Sequence, residues 1–227
     1  MVTAVKSTVS PQRMVTAPPA WAALSTVTGD PRYMDYAVRE YLATRDYLFD
    51  DELKLFYRDS RFFERRTEYG NKVFWGRGNG WVFASLPLVL EQMPADHPAR
   101  VEFIETFVAM AERFRLIQTE AGLWAPSLLD YDQDPAPETS GSAFVVFGLA
   151  WGVNRGILAA EEYVPVIDRA WSALVAAVDD NGKLGWVQQV GNAPAPNAVE
   201  KQAALHHRPG EQVLGLKERM QVDQTLD

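Results

Sequence analysis

The chain has 227 residues, 47% of them hydrophobic, a formal net charge of -8 and a pI near 5.0. That is enough apolar material for one domain, or part of a larger one, with a sizeable core, so disorder is excluded over most of it. Nucleic acid is excluded as a partner, because phosphate binding wants clustered Lys and Arg and those here are scattered.

The first ten residues, Met1 to Ser10, lack the apolar core of a signal peptide, and no run reaches membrane-spanning length. The expectation is a chain that stays where it is made, cytoplasmic as written and with no membrane partner. Apolar spacing then predicts three helix pairs. The first covers 18–27 and 33–49, joined at Thr28-Gly29-Asp30-Pro31, with Gly29 in the left-handed turn and Asp30-Pro31 setting an N-cap and a first-turn proline. The second covers 80–93 and 98–119, and the third 142–154 and 161–178. Strand patterns are too short for a sheet, so the fold class is all-α.

A related segment follows each pair: Asp51-Glu52-Leu53-Lys54-Leu55-Phe56, then Glu120-Ala121-Gly122-Leu123-Trp124, then Asp180-Asn181-Gly182-Lys183-Leu184-Gly185-Trp186. An acidic or Gly turn followed by Leu and an aromatic thus recurs about every 60 to 70 residues, which makes the helical hairpin plus its loop the repeating unit. Such hairpins close into a ring of inner and outer helices with the loops gathered at one end; an open solenoid scaffold is the alternative. Residues 17–196 carry this pattern. Residues 1–16 form an uncommitted N-terminal segment and 197–227 a divergent polar tail.

Four stretches could carry chemistry. Asp59 lies between Arg58 and Arg61 in an aromatic loop; aromatic walls would raise its pKa and the arginines would lower it, so either sign is open. A plain ion pair is the alternative. Phe74-Trp75-Gly76-Arg77-Gly78-Asn79-Gly80-Trp81 combines indoles that stack on pyranose rings, an Arg that grips a carboxylate, and glycines that let backbone approach a ligand. Arg77 also opens an apolar helix, where an anion is favoured. The alternative there is an ion-pairing Arg with its indoles in the core. In Pro137-Glu138-Thr139-Ser140-Gly141-Ser142, Thr139 or Ser140 is a natural N-cap, and their hydroxyls could bond a sugar. Asp130, Asp132 and Asp134 resemble a calcium loop only faintly, and a solvated loop is expected. With no cysteine, and two of three histidines adjacent in the tail (His206, His207), no metal site is expected.

With these residues in hand, the chain resembles glycoside hydrolase family 105, the unsaturated rhamnogalacturonyl hydrolases, which are related to the unsaturated glucuronyl hydrolases of family 88. The resemblance runs from about Ala17 to Ala195 through Ala17-Pro18-Pro19-Ala20-Trp21, Thr28-Gly29-Asp30-Pro31, Phe56-Tyr57-Arg58-Asp59-Ser60-Arg61, the Phe74 to Trp81 motif and Pro137-Glu138-Thr139-Ser140-Gly141-Ser142. It implies an (α/α)6 barrel and a hydrolase that removes a 4,5-unsaturated uronic acid from pectin-derived oligosaccharides, without a cofactor. It implies Asp59 as general acid/base, and Trp75, Arg77, Asn79, Trp81, Tyr57, Thr139 and Ser140 as the substrate-binding set. Family members are longer, and Gln12 stands where they carry a second important Asp. The expectation is therefore about half a barrel, truncated at both ends, with self-association through exposed apolar helix faces. A catalytically inactive sugar-binding remnant and a helical-repeat interaction scaffold are the competing readings. A two-carboxylate glycosidase would need Glu138 as its second acid.

Overall fold

The computed structural model describes residues 11–189 and 191, and among them forms six α-helices. They are α1 (Pro11–Thr28), α2 (Arg32–Leu48), α3 (Gly76–Leu90), α4 (Arg100–Leu116), α5 (Thr139–Asn154) and α6 (Ala160–Ala176). The polar tail expected over 197–227, with its two histidines, lies outside the described residues. The three expected pairs are present. The boundaries differ most at three helix starts: α3 begins at Gly76 rather than 80 and α5 at Thr139 rather than 142, and α1 begins at Pro11, not at Pro18, because Pro18 and Pro19 sit inside the helix. Two missing N–H groups interrupt the ladder of α1 without ending it.

The turn between α1 and α2 follows the residues that make it. Gly29 takes φ +72 and its N–H donates to the Ser25 carbonyl, closing α1. Asp30 Oδ1 accepts the Arg32 N–H at 3.0 Å and so holds the start of α2.

Helices α1, α3 and α5 lie side by side as an inner row, and α2, α4 and α6 back them in turn. These are three of the hairpins of a helical barrel, the architecture of an (α/α)6 fold. One apolar cluster runs through all three. Phe83 of α3 stacks on Phe107 of α4 at 4.7 Å, and Phe107 meets Trp151 of α5 edge-on. The outer row is joined by Tyr41 stacked on Phe103 and by Arg45 Nε donating to Thr106 Oγ1 at 3.1 Å. Leu24 and Val27 on α1 and Leu88 on α3 remain exposed.

Two short strands, β1 (Phe49–Asp50) and β2 (Leu55–Phe56), pair antiparallel after α2. The recurring loops share one backbone device. Lys54, Gly122 and Gly182 all take left-handed conformations, at φ 57, 89 and 78. Leu55 and Leu123 follow directly and are buried. The loops therefore collect where α2, α4 and α6 end and α3 and α5 begin. The Asp130 loop departs from the expected solvated loop. Asp130 is buried and accepts from Thr67 Oγ1 (2.9 Å), Asn71 Nδ2 (2.8 Å) and Ser127 Oγ (2.6 Å), which ties the loop after α4 to the segment before α3.

Candidate active site

The Trp75 to Trp81 motif opens α3, with Trp75 as the extended N-cap residue. Trp75 is buried and Trp81 partly exposed; their rings meet edge to face at 5.5 Å. Between them lies Arg77, its guanidinium carbon 5.0 Å from the Trp75 ring centre and 5.8 Å from that of Trp81. Arg77 is 6% exposed, and burial lowers its pKa. Its Nη1 donates to the Gln188 carbonyl at 2.6 Å and its Nη2 to the Gln189 carbonyl at 3.0 Å. The two-pronged donor edge expected for a carboxylate is thus engaged by the loop after α6, while buried Nε has no partner among the described residues.

The glycines were expected to admit a ligand, and the structure gives them a different neighbour. A methyl at Gly76 would stand 2.5 Å from the Ala125 carbonyl oxygen, and one at Gly80 would stand 2.8 Å from that of Gly141. One at Gly141 would stand 2.9 Å from Arg77 Cα. They let the first turn of α3 press against the loop after α4 and against the first turn of α5. Two helix N-termini, each with outward N–H groups and a partial positive charge, meet there.

The cap of α5 also differs from expectation. Glu138, and not Thr139 or Ser140, is the N-cap: its carboxylate accepts the N–H groups of Ser140 (3.0 Å) and Gly141 (2.6 Å). A carboxylate reaches both donors where a hydroxyl reaches one, and its charge suits the paired helix starts. The Ser140 hydroxyl also donates to Glu138 Oε1. Thr139 is buried, its hydroxyl donating to the Gly185 carbonyl at 2.8 Å. Asn79 is buried as well, taking the Phe56 N–H at 2.7 Å and donating to the Phe56 and Trp75 carbonyls. Tyr57 packs against Phe63 and Phe74, and its hydroxyl donates to Asp50 Oδ2 at 3.0 Å, where Lys72 Nζ also donates at 2.8 Å.

Asp59 precedes the short 3-10 turn Ser60–Phe62 and accepts the Arg61 N–H at 3.0 Å. Its carboxylate pairs with Arg61 Nη2 at 2.8 Å and Arg58 Nη1 at 3.1 Å. The Arg61 hydrogen bond, with help from Arg58, holds its pKa below the ordinary carboxylate value against a smaller opposing effect of burial. Asp59 and Arg77 share no hydrogen-bond partner among the described residues.

Gln188 is the site residue that sequence reasoning missed. It is buried, accepts the Trp75 indole N–H at 2.7 Å and donates its own N–H to Glu138 Oε1 at 3.2 Å. The one available signal was its place just after the third repeated Leu-aromatic loop.

Residues 13–213 match the glycosyl hydrolase family 88. The chain is 48% identical over 180 residues to an unsaturated 3S-rhamnoglycuronyl hydrolase of Alteromonas sp. (strain LOR), covering 79% of this chain and 44% of that protein. It is 40% identical over 190 residues to a protein of the same name from Formosa agariphila, covering 81% of this chain and 50% of that one. The chain therefore spans about half the length of these relatives. A solved glycosyl hydrolase family 88 structure from Bacteroides vulgatus superimposes with a TM-score of 0.84 at 32% identity, over 89% of this chain and 60% of that one.

Proposed function

The chain belongs to glycosyl hydrolase family 88, and on that premise we propose that it serves a hydrolase removing an unsaturated uronic acid from the non-reducing end of an oligosaccharide. The observation that carries this reading is the meeting of two helix N-termini around Arg77 and two indoles, with Glu138 as the carboxylate between them. A locally cationic spot with aromatic walls suits a sugar that bears a carboxylate. In this proposal Trp81 and Ser140, which are partly exposed, meet the sugar. Arg77 acts through its charge. Trp75, Asn79, Tyr57 and Thr139 hold the wall from behind.

Asp59 is the proposed acid/base. A proton from its carboxyl goes to C4 of the sugar double bond, water oxygen bonds C5, and the water proton returns to Asp59. The resulting hemiketal opens and releases the leaving sugar. In the free protein Asp59 is held as a carboxylate, so it must gain a proton as substrate enters. Arg61, with its side chain 67% exposed, is the partner most easily displaced to permit this.

The leaving sugar admits two readings. The names of both relatives favour a glycuronyl-rhamnose linkage, while the family 105 resemblance favours galacturonyl-rhamnose from pectin. Incubation with each unsaturated disaccharide, following loss of the ultraviolet absorbance of the conjugated double bond, tests both. Asp59→Asn is expected to slow the preferred substrate by about 100-fold or more. Equal, slow loss with wild type and variant would leave only the sugar-binding remnant, recognised by a tryptophan fluorescence change without turnover.

A further inference from the structure

Gln188 lies in no motif that the function absorbs, yet it joins three elements. Its side-chain Oε1 accepts from Trp75 Nε1 at 2.7 Å, its carbonyl accepts from Arg77 Nη1 at 2.6 Å, and its N–H donates to Glu138 Oε1 at 3.2 Å. Trp75 is the N-cap residue of α3 and Glu138 that of α5, so one residue of the loop after α6 grips the starts of two of the three inner helices. Trp75 is 2% exposed and Gln188 equally so. A buried indole N–H needs an acceptor, and Gln188 supplies it.

We propose that Gln188 is a positioning residue of the sugar site, fixing the Trp75 ring and the guanidinium of Arg77 and, through them, the Trp81 face that meets a uronate and the buried charge behind it. The proposal rests on the uronyl-hydrolase reading above. Its effect passes through Trp75, so it shows in substrate binding more than in bond breaking.

A double-mutant cycle on the full chain tests it, with Gln188→Met, Trp75→Phe and the pair. An unsaturated glycuronyl-rhamnose disaccharide is the probe; KM, kcat and the tryptophan fluorescence titration are the readouts. Gln188→Met is expected to raise KM by roughly tenfold while kcat changes by less than about threefold. In the Trp75→Phe background, where no indole N–H is left to hold, the same change is expected to raise KM by less than about twofold. Effects on KM that add in full, or a Gln188→Met enzyme with wild-type KM, would overturn the positioning role. Should Gln188→Met fail to fold, the paired variant is expected to fold and keep the KM of Trp75→Phe. If the pair fails to fold although Trp75→Phe does, Gln188 is a packing residue only and the proposal is wrong. A wild-type chain that neither cleaves nor responds to either disaccharide instead removes the uronyl-hydrolase reading, and this role with it.

Discussion

At Asp59 the balance of opposing effects is decided by which neighbours touch the carboxyl. Aromatic residues surround it in sequence, but Arg61 and Arg58 make the contacts, and they favour the anion. Removing Arg61 is therefore expected to raise the Asp59 pKa toward the ordinary value of about 3.9. Carboxyl-carbon NMR titration of Arg61→Ala against wild type measures this directly, and an unchanged midpoint would show that Arg58 alone holds the charge. The candidate acid and both its arginines were legible in the sequence because they are adjacent. The sign was not, since it depends on side-chain direction. Arg77 shows the same limit. Its place between two indoles followed from spacing on a helix, whereas its bonds to the Gln188 and Gln189 carbonyls join residues more than a hundred positions apart.

The start of α3 is an element whose composition serves packing on three sides. Asn79 satisfies both the N–H and the carbonyl of Phe56, so it anchors β2 to the helix. Asn79→Ala strands those buried groups and is expected to destabilise the chain by about 2–4 kcal/mol in urea unfolding. Gly80 meets the Gly141 backbone, which cannot move aside as a side chain would. Gly80→Ala is expected to cost about 1–3 kcal/mol in the same measurement, despite the better helix propensity of alanine. The helices themselves were legible from apolar spacing, and the hairpin repeat from its loops. The purpose of the glycines was not, because a requirement for close approach reads the same whether the neighbour is a ligand or another helix. The cap of α5 departs from propensity for a related reason: propensity ranks hydroxyls highly, and the neighbouring helix start makes a full charge preferable.

On the scale of the whole molecule, stability depends on carboxylates that the fold holds ionised. Asp50 accepts from Lys72, Tyr57 and two backbone N–H groups, and these outweigh its burial to lower its pKa; Asp59 is lowered as well. A carboxyl with a depressed folded pKa contributes stability above its unfolded pKa of about 3.9 and loses it as pH falls through the folded value. The melting temperature is thus expected to change little between about pH 7 and 5 and to drop below about pH 4. Asp50→Asn is expected to be less stable at neutral pH by about 1–3 kcal/mol and to show a shallower acid decline. An acid profile identical to wild type would remove Asp50 from the account. The row of inner and outer helices was legible as a whole because hairpins of equal length repeat. What joins their loops, such as Asp130 reaching Thr67 and Asn71, was not, since contacts between repeats leave no periodic trace.

The turn after α2 departs from its counterparts after α4 and α6. Glycine occupies the left-handed turn position in the second and third loops, but the first places Lys54 there at φ 57. A side chain forced into that conformation costs roughly 1–2 kcal/mol. The two Asp50 side-chain bonds to the Glu52 and Lys54-preceding Leu53 amides hold the turn regardless. Converting Lys54 to glycine is therefore a route to a sturdier protein that leaves every proposed sugar contact intact, and calorimetry of Lys54→Gly should record a higher melting temperature.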